Sequence, residues 1–340
     1  MFDKSMINKI LIITRKADIH PNSVIEILNE RNIPFFRLNT EVLMTEYEFG
    51  WFHKNGSKPS FFIKDKNTDE VIYGYEVHSI WYRRPILPEE LPYYSNENKE
   101  IDRHNLEEAK AFYHYLMLFF SDFYSIGSHH HDRFACSKMV QSFYADKVGL
   151  QISPTCYANN KESIINFTSE YDELIIKPMR NYNVQYSETH SYELYANKIS
   201  SALLKDQPEE AFSQTVCFLQ KYVRKAYELR VTIMGNHLFA CKIDSQKQDE
   251  DKGKIDFRQG YDHNLHHEMI SLPKSIEEKC RQYLRHLHLN FGCFDFVVTP
   301  EGEYVFLECN PNGQWGWIED ECGVPMSEAI VDCLTNRREV

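Results

Sequence analysis

The sequence predicts an α/β protein whose later segments turn α+β, and three observations carry that expectation. The chain opens on an apolar strand, an amphipathic helix and a second strand. A long helix with aromatic and leucine positions on one side then runs up to about residue 123. The last third is rich in short strands and includes one hairpin with acidic residues on a single face. With 340 residues, 42% hydrophobic and 26% charged, the composition is that of a globular chain of two or three domains.

Lys9-Ile-Leu-Ile-Ile-Thr14 is the first strand, and His20 and Pro21 mark a helix start. Val24, Ile25 and Leu28 then share one helical face, and residues 33–38 form the next strand. Residues 52–62 read as two short strands about Asn55-Gly56, a strong hairpin-turn dipeptide. Residues 78–82 form a strand running into Arg83, Arg84 and Pro85, and the helix over 98–123 closes an N-terminal α/β domain placed at 1–125. A central subdomain at 126–212 holds the helix 135–148, closed by Gly149, and the strand 174–178. The C-terminal subdomain, 213–340, holds the remaining strands, a helix near 276–287 and a terminal helix.

Charge and cysteine usage exclude several functions. Lysine plus arginine number 38 against 50 acidic residues, a net charge of −12, which is poorly suited to a long nucleic-acid footprint. The first ten residues are too polar for a signal-peptide core, and no apolar run approaches membrane-spanning length. Nine cysteines lie scattered without a CxxC pair, which points to reduced thiols in a cytoplasm. His129-His-His131 and the trio His263, His266 and His267 sit in polar sequence without carboxylate or thiol company at ligand spacing, so neither is expected to hold a transition metal.

The chemistry concentrates in the hairpin 294–310. A two-residue turn at Glu301-Gly302 puts Asp295 opposite Glu308, with Cβ atoms about 5 Å apart, and Asn310 two residues along on the same face. Phe296 and Val298 against Leu307 and Val305 make the buried side. Two carboxylates and an amide oxygen are hard ligands suited to Mg²⁺; an ordinary hairpin with an acidic solvent face has the same pattern. The glycine- and tryptophan-rich run Pro311-Asn-Gly-Gln-Trp-Gly-Trp317 directly after it is unlike a plain surface loop.

Upstream, Gln220, Lys221, Tyr222 and Val223 form a strand end and hinge whose backbone can meet an adenine edge. Glu228 is placed to accept from ribose hydroxyls, Arg230 on the same face reaches phosphate, and Lys242 on the paired strand adds a second cation. Each of these is also a common solvated strand charge. Lys177 ends an apolar run, and a lysine in a dry site needs an anionic partner.

In this order, Lys138, Ile-Ile-Lys177-Pro, the hinge at 220–223, Glu228-Leu-Arg230, Lys242, Asp295 and Glu308-Cys-Asn310 resemble the ATP-grasp superfamily over roughly residues 130–335. Trp81-Tyr-Arg-Arg-Pro85, Ile255-Asp-Phe-Arg258 and the run from Glu308 to Glu319 resemble the microviridin-type, or graspetide, peptide maturases within it. The resemblance implies an ATP-grasp fold behind an N-terminal α/β domain, with ATP and Mg²⁺ as cofactors and a ribosomal precursor peptide, leader plus core, as partner. It also implies an activity: phosphorylation of Asp or Glu side chains, then ester or amide ring closure by Ser, Thr or Lys of the same peptide. Nucleotide binding falls to Lys138, Lys177, Gln220, Tyr222, Val223 and Glu228; metal binding to Asp295, Glu308 and Asn310; transition-state charge to Arg230, Arg258 and Lys242; the substrate acid to Arg83 or Arg84. No nucleic-acid or membrane partner is expected, and a homodimer is compatible with the resemblance.

Two departures stand out. Residues 179–187 hold no glycine where many ATP-grasp enzymes have a glycine-rich phosphate lid, and Cys293 stands where some relatives have an arginine. Two rival readings follow: a ligase of free amino acids, and a non-catalytic peptide- or nucleotide-binding module.

Overall fold

The computed structural model describes residues 8–88, 98–179, 183–185, 191–247, 255 and 265–340. Lys9–Thr14 lies at the centre of a parallel sheet, between Phe35–Asn39 and Val77–Tyr82, and Ser125–Ile126 adds a fourth strand beyond the latter. The helix His20–Glu30 carries Pro21 in its first turn, where a missing N–H costs nothing. The expected hairpin about Asn55-Gly56 is present as Tyr47–Phe52 paired with Ser60–Asp65, but its loop is longer than two residues. Gly56 sits at φ +77 within it, a conformation that glycine tolerates freely. The long helix runs over Lys99–Phe119, capped by the Asn98 side chain accepting from Glu100 N–H, and a 3₁₀ turn at Phe120–Asp122 ends it sooner than expected.

Two further sheets follow. The smaller has the order Asn197–Ser200, Glu173–Lys177, Cys217–Lys221 and Thr155–Ala158, all antiparallel. The larger has six strands: His267–Met269, His237–Ile243, Tyr227–Met234, Phe291–Val298, Tyr304–Asn310 and Gln151–Ile152, the last joined in parallel. Cys217–Lys221 therefore belongs to the smaller sheet and Gln151–Ile152 to the larger, so the chain passes between the two sheets after Lys221 rather than at 212.

Alternation on the large sheet explains its two cores. Leu229, Val231, Ile233, Phe294 and Phe296 face the helix Lys274–His286, through Cys280, Tyr283 and Leu284. On the other face, Met234, Cys241, Phe291 and Cys293 meet the helix Met326–Asn336 and then Ile10, Ile12 and Trp81 of the first sheet. Each such buried side chain contributes about 1.5–3 kcal/mol, so this shared core locks the first sheet to the large one. Among the described residues, no helix is long and apolar enough to cross a membrane.

Candidate functional site

The acidic hairpin pairs as expected at its far end, for an unexpected reason. Thr299 N–H donates to Glu303 O (2.9 Å) and Gly302 N–H to Thr299 O (2.9 Å), making a three-residue loop with Gly302 at φ +86. Val298 therefore faces Tyr304 and Phe296 faces Phe306, one residue away from the register of a two-residue turn. A β-bulge next to Asp295 then takes up one extra residue, Leu307, and returns Asp295 to a position opposite Glu308. Leu307 is thereby turned toward the ligand side and lines the cavity, which corrects its expected place on the buried face; Phe306 fills that place instead.

Asp295, Glu308 and Asn310 converge on one face. Asn310 Nδ2 lies 3.4 Å from Asp295 Oδ2 and 3.2 Å from Glu308 Oε1. Both carboxylates have cations at hand: Lys138 Nζ contacts Glu308 Oε2, and Arg230 Nε is 2.8 Å from Asp295 Oδ1. Burial is the largest single influence on Arg230 and lowers its pKa, but Asp295, Cys293 and Glu308 together more than reverse that, so the guanidinium stays charged.

These groups open into a cavity of about 810 Å³ between the two sheets. On the small-sheet side, Lys177 faces Phe218 across the pairing, its ammonium 5.8 Å from the ring centroid, and Gln220 donates to Thr155 Oγ1 at 3.0 Å. Ile175, Lys177, Phe218 and Gln220 all point inward, while Leu174 and Leu219 pack in the apolar layer behind, as a two-residue period requires. In the hinge, Lys221 N–H is committed to Pro154 O (2.9 Å) and Tyr222 N–H to Glu173 O (3.0 Å), which shifts any adenine contact from an N–H toward Val223. Tyr222, Val223 and Glu228 line the cavity. Glu228 Oε1 is paired at 2.6 Å with Lys225, a buried lysine missed in the sequence although it stands three residues before that glutamate.

Lys242 is corrected. Its partner across the pairing is Leu229, so it projects from the face opposite Arg230, beside Glu268 (3.8 Å) and the Tyr227 ring (5.1 Å). It cannot reach phosphate held by Arg230. Arg258 lies outside the described residues, as does most of the glycine-free stretch after Met179.

Arg83 and Arg84 part ways. Arg83 is 1% exposed, and its Nη1 donates to Asn312 O (2.7 Å), Asn312 Oδ1 (2.7 Å) and Gly313 O (3.1 Å). Burial pulls its pKa down to about 10 despite Asp18, 3.5 Å from Nε. Asn312 Nδ2 in turn lies 3.2 Å from both Tyr82 O and Asp132 Oδ2, and burial pushes the Asp132 carboxyl up to about 8. The first sheet thus grips the turn that follows Asn310. His20 and Trp315 extend the grip: their rings meet edge-on at 5.3 Å, and Gly316 N–H points at His20 Nε2 from 3.4 Å. Crowding also accounts for Cys293. A Cβ on Gly313 would come within 2.6 Å of Cys293 Cβ, so an arginine at 293 has no room beneath this turn. Arg84, by contrast, lines the cavity.

Of the histidines in the two runs, His129 Nδ1 is 2.9 Å from Tyr82 Oη, and His267 lies against Trp317 and pairs with Glu321; His263 lies outside the described residues.

The family described as the MvdD pre-ATP grasp domain matches residues 9–133. A Chryseobacterium gregarium RiPP-associated ATP-grasp ligase, solved with ADP and a leader and core peptide, is 25% identical with a TM-score of 0.83, covering 97% of each chain. The macrocyclase MdnC from Microcystis aeruginosa MRC, bound with precursor peptide MdnA, is also 25% identical, with a TM-score of 0.81 over 97% of this chain and 100% of that one. D-alanyl-alanine synthetase A from Vibrio cholerae, at 13% identity and a TM-score of 0.51 over 97% and 98%, shares the fold alone. No curated protein matches the chain.

Proposed function

This chain is an ATP-grasp carboxylate ligase with a pre-ATP-grasp domain of the MvdD type, and from that premise we propose that it closes ester or amide rings in a ribosomal precursor peptide. The observation that carries the reading is the convergence of Asp295, Glu308 and Asn310 with Lys138, Lys177 and Arg230 on one cavity between the two sheets. The likeness to two ligases solved with precursor or leader and core peptides, along nearly the whole chain, turns it toward a peptide substrate.

Hard oxygen donors on one face of two paired strands, each carboxylate already balanced by a cation, fit Mg²⁺ held by Asp295, Glu308 and Asn310. When bound, the ion neutralises phosphate oxygens. Arg230 and Lys177 hold the phosphate chain, Lys138 exchanges Glu308 for a phosphate oxygen, and the hinge through Val223 seats the base. A substrate Asp or Glu oxygen attacks the γ-phosphorus and ADP leaves. A hydroxyl or amine of the same peptide then attacks the acyl carbon, loses its proton, and phosphate departs. Catalysis of this kind rests on positioning and preorganised charge.

Incubation with ATP, Mg²⁺ and a precursor peptide encoded beside the enzyme, rich in Thr, Ser, Glu or Asp, is expected to lower the peptide mass by one water per ring, with one phosphate released for each. An unchanged peptide beside brisk turnover of a free amino acid would replace this reading with the amino-acid ligase. Within the site, Lys177→Ala is expected to slow product formation by roughly 10²-fold. Lys242→Ala, on the far face, is expected to change it less than about twofold, within the range of surface substitutions. Equal losses in the two variants, measured by initial rates, would place the phosphates elsewhere.

A further inference from the structure

The strand that carries Glu308 and Asn310 is open along part of its outer edge. Gln151–Ile152 pairs with Val305 and Phe306, and no described strand continues beside residues 307–310. In an antiparallel ladder every second residue turns its N–H and C=O away from its partner. Cys309, opposite Phe294 and between the two ligands, is such a residue. It is 1% exposed, so water cannot satisfy either group.

Gln141 supplies what the missing strand would. It is 2% exposed on the helix Lys138–Lys147, beside a core that holds Ala145, Val148 and Cys309. Its Nε2 donates to Cys309 O at 2.7 Å and to Ala135 O at 2.8 Å, which uses both amide hydrogens. Cys309 N–H donates to its Oε1 at 3.4 Å. The consequence falls on the residues to either side, because a peptide group is planar. The Cys309 N–H lies in the plane that ends at Glu308 Cα, and the Cys309 C=O in the plane that ends at Asn310 Cα. Holding both planes fixes the direction in which both ligand side chains leave the strand. Lys138, one turn earlier on the same helix, contacts Glu308, so one helix brings the amide and the cation together.

We propose that Gln141 is a positioning residue for the metal site: by bracketing Cys309 it aims Glu308 and Asn310, and so sets the affinity for Mg²⁺ rather than for the nucleotide. It is not one of the residues lining the cavity, so it acts only through the strand. A buried amide is costly unless paired, and here each of its polar atoms has a partner on the backbone. This role rests on the Mg²⁺ site assigned above to Asp295, Glu308 and Asn310.

Binding of a fluorescent ADP analogue, followed by anisotropy in EDTA and then across a Mg²⁺ titration, reads the metal apart from turnover. Gln141→Met is close in volume and cannot donate. It is expected to raise half-saturating Mg²⁺ by about tenfold or more, as loss of a partner behind a metal ligand does, with affinity in EDTA within about twofold of wild type. Gln141→Asn keeps an amide of shorter reach and is expected to shift half-saturating Mg²⁺ the same way by less, so the measurement stays decisive if Gln141→Met does not fold. Ala145→Gly loosens the same helix and removes no hydrogen bond to Cys309; it is expected to lower the thermal midpoint and to leave half-saturating Mg²⁺ within about twofold. Half-saturating Mg²⁺ unchanged in a folded Gln141 variant, or raised equally by Ala145→Gly, overturns the assignment. Wild-type binding indifferent to Mg²⁺ would instead sink the metal site on which it rests, so the two failures are distinct.

Discussion

Asp295→Asn and Glu308→Gln are expected to stop product formation to the same degree and to differ in stability. Each removes one hard, charged oxygen ligand from the set that faces the phosphates, and losing a preorganised group of this kind slows turnover by roughly 10²–10³-fold. Their partners, however, sit at different depths. The Arg230 side chain is 11% exposed and Asp295 17%, whereas Lys138 and Glu308 are 22% and 26% exposed. Asp295→Asn leaves a buried guanidinium without its counter-charge, which costs about 3–5 kcal/mol. Glu308→Gln frees a lysine that can swing toward water and costs about 1 kcal/mol or less. Denaturation midpoints beside initial rates at saturating Mg²⁺ separate the two effects. Equal stability of the variants would mean that Arg230 does not depend on Asp295, and normal turnover in either would remove that residue from the site.

Arg83→Met is expected to cost about 3–5 kcal/mol of stability, because the buried Asp18 carboxylate loses its counter-charge and the carbonyls of Asn312 and Gly313 lose their donor. It is also expected to raise the Mg²⁺ concentration needed for half-maximal turnover by tenfold or more, about the lower end of what loss of a supporting partner does to a metal site. Gly313 N–H donates to Asn310 O at 3.2 Å, so a released turn moves the ligand amide with it. All three oxygens accept from a single nitrogen, Nη1, so Arg83→Lys is expected to recover most of both losses. Product formation measured against Mg²⁺ concentration, alongside urea unfolding, checks this. An Arg83→Met protein as stable as wild type and with the same Mg²⁺ requirement would show that the turn holds itself.

The pair shows how far local sequence reaches. Asp295 and Glu308 were legible as facing residues because strand alternation and a turn are short-range properties. The turn itself was misjudged: it has three residues, and the bulge at Leu307 restores the register. A bulge has no sequence signature when its extra residue is an ordinary leucine. Lys242 shows the opposite case. Its cationic character fitted phosphate, but its face depends on the two-residue turn at Gly235 and Asn236, which puts it across from Leu229 rather than on the face of Arg230.

The sequence by itself determined the opening βαβ unit, the amphipathic strands of the large sheet and the residue types of the acidic hairpin, since periodicity and turn chemistry act within a few residues. Only the tertiary structure decided which charges meet. Lys138 and Glu308 are 170 positions apart, and Arg83 and Asn312 are 229 apart. The second pairing is set by the shared apolar core that seats the first sheet on the large one, and the first by the core that seats the helix Lys138–Lys147 on the large sheet; both are long-range packing results that no local pattern encodes. The same packing separated two adjacent arginines, burying one as an anchor and leaving the next to face the cavity.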